Sequence, residues 1–189
     1  MKRMGPLNAL YPTPTTLVGA IVDGKPNFIT IAHVGIMTLS TVSLGMNKIH
    51  YTNAGIKANK TFSVCLPSAE LMVQTDYCGI MTGKKTDKAA LFDVFYGDLE
   101  TAPMIRQCPV CMECSLERVV DFPNYDVFVG EVRQTHVDES VLSEGAVDLS
   151  KVRPLLFDMS GKQYWSLGGI LGNCWNVGKA LKRPKGDEA

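Results

Sequence analysis

Polar side chains interrupt an apolar stretch near the start of the chain, in KPNFITIAHVGI at positions 25–36. An amide, a hydroxyl and an imidazole follow one another there, at Asn27, Thr30 and His33. If the stretch is a strand, Asn27 and His33 lie on one face and Thr30 on the other, because successive side chains alternate. Small residues between them leave room for a flat ligand against the backbone. A single histidine in a strand is more often a hydrogen-bonded structural residue, so the spacing alone leaves both interpretations open.

A lysine-rich loop, MTGKKTDKAA at positions 81–90, offers a different chemistry. Its glycine, lysines and threonine supply backbone N–H groups, cations and a hydroxyl, which are the groups that bind a phosphate. The loop lacks the spacing of a P-loop, and the chain contains no Gly-x-Gly-x-x-Gly element. Taken alone, such a loop is usually a solvated surface.

Three cysteines, Cys108, Cys111 and Cys114, recur at every third position in QCPVCMEC. A structural zinc site or an iron–sulfur cluster needs four ligands, and Arg118 stands where a fourth cysteine would fall. The run that follows Pro109 is typical of a strand in which cysteines act as small apolar side chains. We therefore predict buried, reduced thiols and no metal site.

Composition narrows the class of ligand. The 189 residues are 46% hydrophobic and 20% charged, with 19 basic and 19 acidic side chains. A chain without net charge has no global field to attract nucleic acid or an anionic membrane, so a small-molecule ligand is the better expectation. Prolines interrupt the basic N-terminus before a secretory apolar segment can form, and no run reaches membrane-spanning length, which predicts a cytoplasmic location.

Short apolar or alternating runs bounded by turn residues indicate the elements that position these groups. They predict strands at 16–22, 27–35, 41–46, 61–66, 110–120 and 127–136, with a tight hairpin turn at Asp23-Gly24. Helices are predicted at 53–59, at 176–182 and from a cap at Ser68 to a stop at Gly83. We expect a mainly β fold, a β-barrel with added α-helices, in one domain over 1–189, with a core at about 10–180 and a solvated tail at 183–189.

An ordered set of motifs resembles a known family. The segments PTPTTLVGA, GKPNFITIAHVG, TVSLG, YTNAGI, TGKKTDK and VFVGEV occur in the order found in the flavin reductase-like, FMN-binding split-barrel proteins, and most closely in their flavoredoxin branch. Each motif is weak singly, but the ordered set is specific. The resemblance implies a Greek-key split β-barrel and a homodimer with FMN at the subunit interface.

The resemblance also implies which residues bind FMN. The isoalloxazine ring would lie along the strand backbone, the Tyr-Thr segment and the following helix would bind the ribityl phosphate, and Lys88 would be the phosphate cation. Tyr125 stands where the family has a histidine, and Tyr164 matches an aromatic position near the flavin. The cofactor-binding residues predicted in this way are Asn27, Thr30, Ile31, Ala32, His33, Tyr51, Thr52, Gly83, Lys84, Lys88, Tyr125 and Tyr164.

One departure from the family pattern bears on the chemistry. His33 replaces an aromatic residue that many relatives carry after the strand alanine, and an imidazole titrates near neutral pH. The flavin potential would then depend on pH.

The function implied is that of an FMN-dependent oxidoreductase. NAD(P)H or a redox protein would donate electrons, and a free flavin, a ferric complex or a redox protein would accept them. Because the cofactor carries the chemistry, we predict no catalytic acid, base or nucleophile in the chain. The alternative is a non-enzymatic split barrel that binds another planar ligand, such as haem.

Overall fold

The structure is a computed structural model that describes residues 1–181. Fourteen strands and three α-helices follow one another along these residues. The helices are α1 Thr52–Asn59, α2 Met72–Ile80 and α3 Leu149–Val152. In chain order the strands are β1 Thr13–Pro14, β2 Thr16–Val22, β3 Lys25–Ile31, β4 Val34–Ile36, β5 Thr41–Asn47, β6 Thr61–Leu66, β7 Val94–Phe95, β8 Met104–Ile105, β9 Val110–Asp121, β10 Tyr125–Val137, β11 Leu142–Ser143, β12 Ala146–Val147, β13 Leu156–Asp158 and β14 Gln163–Trp165.

Seven strands form one antiparallel sheet in the order β3-β2-β6-β9-β10-β5-β4. The hairpin between β2 and β3 turns at Asp23 and Gly24, which have φ of 51° and 76°, as the predicted Asp-Gly turn requires. Five of the six predicted strands recur with ends shifted by two residues or fewer.

The sixth predicted strand, 27–35, is wrong as one element, because it ends at Ile31 and restarts at Val34. The two pieces, β3 and β4, are the opposite edges of the sheet, yet only Ala32 and His33 separate them. Three Cα–Cα steps span at most about 11 Å, so this dipeptide draws the two edges together. The sheet must therefore curl, which confirms the predicted mainly β, Greek-key split barrel with added helices.

Both faces of the central strands are buried. Val18 and Ala20 of β2 point into the barrel core with Phe62 and Phe128. Leu17 points to a second core that also contains Phe28, Cys65, Cys78 and Met104. Two-sided burial explains why β2 reads as a continuous apolar run in the sequence.

The helices differ from the predictions mainly at their ends. A 3₁₀ turn, Ala69–Leu71, precedes α2, and Ser68 makes no side-chain capping bond. The α2 helix ends at Ile80, so the predicted stop at Gly83 is wrong. The predicted helix at 176–182 is a 3₁₀ helix, Val177–Leu181. Residue 182 and the predicted tail at 183–189 lie outside the described residues.

The cysteine prediction is confirmed for the three residues of the QCPVCMEC segment, which are buried. Over residues 1–181, all six cysteines are free thiols, and only Cys174 is exposed. Over the same range, no three His, Cys, Asp or Glu side chains are arranged to hold a metal ion. None of the helices described here is long and apolar enough to cross a membrane.

Candidate functional site

A cleft of about 350 Å³ opens where the Ala32–His33 link joins the two sheet edges, and we call it the junction cleft. Its floor is the end of β3 and the link, and α2 and the β13–β14 hairpin form its sides. The structure brings together six predicted residues here, namely Thr30, Ile31, Ala32, His33, Tyr125 and Tyr164. Apolar and polar side chains alternate around the cleft, which suits a planar heteroaromatic ligand.

Glycine and short side chains let the link fold over β5. The backbone N–H of Gly45 donates to the carbonyl of His33 at 2.7 Å. A Cβ placed on Gly45 would lie 3.2 Å from Cβ of His33, closer than ordinary contact. The link can therefore sit directly on β5 because position 45 carries no side chain.

An aromatic row forms one wall of the junction cleft. Tyr11 and Tyr164 each lie 6.1 Å from Phe157, measured between ring centroids. The hydroxyl of Tyr11 is 3.1 Å from Nε2 of His33, which fixes the imidazole at the cleft edge. Tyr125 lies on the other side of His33, with 6.4 Å between ring centroids.

Tyr164 ties the β13–β14 hairpin to α2. Its hydroxyl donates a hydrogen bond of 3.0 Å to Oδ1 of Asp76. Burial and this bond to Asp76 raise the pKa of Tyr164 to about 12, so the phenol stays protonated at neutral pH. The pair holds one side of the cleft in place.

A second cleft, of about 430 Å³, lies between the β2–β3 hairpin and the lysine-rich loop. It is the basic cleft, because Lys25, Lys84, Lys85 and Lys88 line it. The predicted residues Asn27, Tyr51, Gly83, Lys84 and Lys88 also meet here.

Asn27 is buried at the floor of the basic cleft rather than in the junction cleft. Its Nδ2 donates to Oγ1 of Thr52 at 2.7 Å, joining β3 to the first residue of α1. A Cβ placed on Gly83 would collide with the amide of Asn27 and would lie 2.8 Å from the ring of Tyr51. The loop therefore reaches Asn27 only because position 83 is glycine.

The side chain of Lys88 is hydrogen-bonded to the end of α2. Its side chain is 2% exposed, and Nζ donates to the carbonyls of Cys78 at 3.0 Å and Met81 at 3.1 Å, at the end of α2. Burial lowers the pKa of Lys88, while the nearby Cys78 raises it by a smaller amount. An ammonium has three N–H donors, so one remains for a ligand in the basic cleft.

A third, connecting cleft of about 220 Å³ shares walls with both others. It shares His50, Gly79 and Ile80 with the junction cleft, and Tyr51, Gly83 and Lys88 with the basic cleft. Thr52, the last of the predicted residues, lines it as well. The three clefts thus form one elongated site that is apolar at one end and cationic at the other.

The sequence analysis missed His50, which lies at the meeting point of the junction and connecting clefts. Its Nδ1 atom is buried and has no hydrogen-bond partner among residues 1–181. Burial, and secondarily the charge of Lys88, lower the pKa of His50, so the imidazole is neutral at pH 7. The only available signal was its position directly before the Tyr51-Thr52 segment. Asp76 and Phe157 gave no signal, because tertiary packing alone brings them to the cleft.

Comparisons with known proteins agree with this geometry. A family model described as the flavin reductase like domain matches residues 8–166. The crystal structure of the flavoredoxin from Methanosarcina acetivorans has 39% sequence identity and a TM-score of 0.91, with 96% of this chain and 100% of that one covered. The flavoredoxin of Desulfovibrio vulgaris (Miyazaki F) has 30% identity and a TM-score of 0.88, over 95% of this chain and 100% of that one. An uncharacterized protein of Archaeoglobus fulgidus is 30% identical over 149 residues, which cover 76% of this chain and 82% of that one.

Proposed function

Because the chain belongs to the flavin reductase-like domain family, we propose that it is an FMN-dependent oxidoreductase of the flavoredoxin type. The observation that carries this proposal is the continuous site made by the junction, connecting and basic clefts. FMN has three parts in the same order, which are a planar ring, a polar ribityl chain and a phosphate.

The residues present fit each part of FMN. The backbone of residues 30–33, with Phe157 and Tyr164 beside it, offers a mostly apolar surface to the ring. The buried Nδ1 of His50 lacks a partner at the point where the ribityl chain would begin. The basic cleft supplies Lys84, the third N–H of Lys88 and loop backbone N–H groups to the phosphate.

Bound FMN would supply the electron-transfer chemistry, accepting and releasing one or two electrons. The chain binds and orients it. Neutral His50 offers a proton or a lone pair to the ligand without adding a charge. The Asp76–Tyr164 pair holds the cleft wall, and Tyr11 holds His33 at the mouth.

We propose NAD(P)H or a redox protein as the electron donor, and a free flavin, a ferric complex or a redox protein as the acceptor. A reductase needs room for a nicotinamide over the ring, whereas a carrier needs only an exposed ring edge. A reductase and a carrier would therefore differ in the electron donor that reduces the bound flavin.

The absorption spectrum of the purified protein tests whether it binds FMN and whether it acts as a reductase or as a carrier. The protein is incubated with FMN, freed of excess by gel filtration, and titrated anaerobically with NADH, with NADPH and then with dithionite. We expect flavin bands that stay with the protein. Bleaching by a nicotinamide indicates a reductase, bleaching by dithionite alone indicates a carrier, and a protein that retains no flavin contradicts the proposal.

A binding protein for another planar ligand is the alternative. The basic cleft argues against an uncharged planar ligand, because four lysines at one end of the site would have no anionic partner. A protein that retains haem but no FMN in the same experiment would favour the alternative.

We also propose that the protein is a homodimer located in the cytoplasm, with the flavin at the subunit interface. Apolar side chains protrude at two places, at Ile36 and Leu39 at and after the end of β4 and at Leu171 and Trp175 near the C-terminus, where they are 87%, 109%, 103% and 96% exposed. Exposed apolar surface of this kind is typical of protein interfaces.

A further inference from the structure

Three cysteines outside the candidate FMN site converge in the second core, and we call Cys65, Cys108 and Cys111 the thiol trio. All three are buried side chains of the same apolar cluster. Sγ of Cys111 lies 3.3 Å from the carbonyl oxygen of Ile105 and 3.8 Å from that of Cys108. None of the three lines the junction, connecting or basic cleft.

Strand register brings two members of the trio into disulfide range. Cys65 of β6 and Cys111 of β9 are direct partners in an antiparallel pair. Partners of this kind have Cα atoms about 4.5–5.5 Å apart and side chains on the same face. A disulfide needs a Cα–Cα distance of about 4.4–6.8 Å, so this pair can be bridged with little backbone movement.

A small pocket leads from the surface to the trio. It has a volume of about 240 Å³, and its walls include Cys108, Cys111, Phe95, Arg106, His136 and Asp138. Cys65 is not part of the wall and is 0% exposed. An oxidant the size of hydrogen peroxide therefore meets Cys111 or Cys108 first, and Cys65 can react only with a neighbouring sulfur.

A guanidinium and an imidazole line the same small pocket as Cys108 and Cys111. His136 of β10 is the register partner of Cys111 on the side opposite Cys65. Its Nε2 lies 2.9 Å from Oε1 of Glu113, a buried carboxylate. Arg106 stacks on Phe95, with 4.9 Å from its Cζ to the ring centroid. Positive charge near a thiol favours its thiolate, which is the reactive form.

Hydrogen bonds within the trio shift the pKa values of Cys65 and Cys111 in opposite directions. Burial alone would raise the pKa of Cys65, but hydrogen bonds from Cys108 and Cys111 lower it well below its usual value. The bond to Cys108 lowers the pKa of Cys111, but Cys65 and burial together raise it further, so the net shift is upward. The three thiols are therefore coupled by hydrogen bonds, and Cys111 loses its proton as it reacts.

We propose that the thiol trio is a site of reversible oxidation, at which a hydroperoxide converts Cys65 and Cys111 into a cross-strand disulfide. The thiolate of Cys111 attacks hydrogen peroxide, so an S–O bond forms, the O–O bond breaks, and hydroxide leaves to become water. The sulfur of Cys65 then attacks the sulfenic acid of Cys111, and the S–S bond forms as a second water leaves. In sum, two thiols lose two electrons and two protons, one peroxide becomes two waters, and an external dithiol reverses the reaction.

Peroxide treatment of a Cys174→Ser parent tests this proposal, because that change removes the exposed thiol. After peroxide is quenched, free thiols are counted in denaturant and peptides are mapped by mass spectrometry. We expect two thiols lost per chain, a peptide pair linked through Cys65 and Cys111, and full recovery with dithiothreitol.

Two further substitutions in the same background are a matched pair. Cys65→Ser should abolish the disulfide and leave a sulfenic acid on Cys111 that dimedone traps. Cys114→Ser should leave the disulfide unchanged, because Cys114 lies on the same strand but points into the other core. Thermal unfolding of each variant checks that it folds.

Two results would overturn the proposal. In one, the parent keeps all its thiols at a peroxide concentration that does oxidise Cys174 in the natural chain. The other is a disulfide that links Cys108 instead, or that persists in Cys65→Ser. If Cys65→Ser does not fold, the peptide map of the parent decides alone.

Discussion

Lys88 has a structural task that the sequence did not predict. The resemblance predicted a phosphate cation, whereas the structure shows an ammonium that also holds the carbonyls of Cys78 and Met81 at the end of α2. Lys84 lines the same cleft from an exposed position. The two lysines should therefore respond differently to substitution.

We expect Lys88→Met to lower the free energy of unfolding by about 3 kcal/mol, because two charge-assisted hydrogen bonds are lost and their carbonyls stay buried. Lys84→Ala should change stability by less than about 0.5 kcal/mol. It should still weaken FMN binding about tenfold, or about 1.4 kcal/mol. Urea unfolding and FMN titration measure the two effects, with Lys2→Ala as the control. Equal losses of stability in both lysine variants would contradict the structural role of Lys88.

His50 makes stability depend on pH. Its pKa in the folded protein is lowered from 6.5, mainly by burial and secondarily by Lys88, so the unfolded chain binds its proton more readily. The contribution of neutral His50 is therefore present above pH 6.5 and is lost as the pH falls below that value.

We predict that His50→Gln flattens the decline in unfolding free energy below pH 6.5. Urea unfolding of the flavin-free protein between about pH 5 and 8 measures this decline against the natural chain. His33→Gln is the matched control, because it replaces an exposed imidazole rather than a buried one. Parallel profiles for the natural chain and His50→Gln would count against a buried neutral imidazole.

At the scale of elements, the loop at 82–88 forms one side of the basic cleft, and one of its residues lies very close to Asn27 of β3. Gly83 lies against Asn27 and Tyr51 where no Cβ fits. The loop is mostly exposed, so it can move outward when a side chain is added at position 83.

Gly83→Ala should therefore weaken FMN binding about tenfold or more, because overpacking costs about 1–3 kcal/mol and the loop avoids that cost by leaving Asn27. The melting temperature of the flavin-free protein should hardly change. Gly168→Ala is the control, since a Cβ at position 168 meets nothing within 4 Å. Unchanged FMN affinity in Gly83→Ala would show that the loop does not contact the cofactor.

The strands were predictable because the residues that determine them are neighbours in the sequence. The Asp23-Gly24 turn and the apolar run of β2 are read directly from neighbouring residues, and both were correct. The break after Ile31 was not predictable, because it depends on Gly45, which lies on another strand and accepts the link only after folding. The end of α2 was missed for the same reason, since Lys88 lies outside the helix it terminates. For the site, the motifs identified β3 and the lysine-rich loop, whereas His50 and Asp76 reach the clefts only through tertiary packing.

At the scale of the whole molecule, the exposed apolar segments are candidates for the interface of the proposed homodimer. Ile36, Leu39 and Leu171 have few contacts in a single chain, as their exposure shows. Burying one such side chain stabilises an interface by about 1.5–3 kcal/mol.

We expect light scattering to give twice the chain mass of 20.6 kDa. Leu39→Asp should shift the protein toward the monomer and reduce FMN retention, because a buried unpaired carboxylate opposes association. Val147→Asp, on β12, is the control for an added charge at an exposed apolar position. A dimer that survives Leu39→Asp would exclude this segment from the interface.

The difference in polarity between the two ends of the site gives bound FMN a fixed direction. Reversed, the ligand would place a dianion beside Phe157 and Met159 and leave the lysines without a counter-ion. The lysines would therefore fix which end of the ligand enters the basic cleft, and the floor of the junction cleft would decide which face of the ring turns toward the β3–β4 link. With a nicotinamide donor, a deuterium atom placed at one of the two prochiral C4 positions would be transferred while its twin stays behind. The handedness of the reaction would thus depend both on where four lysines lie along the cleft and on which face of the ring rests on the link.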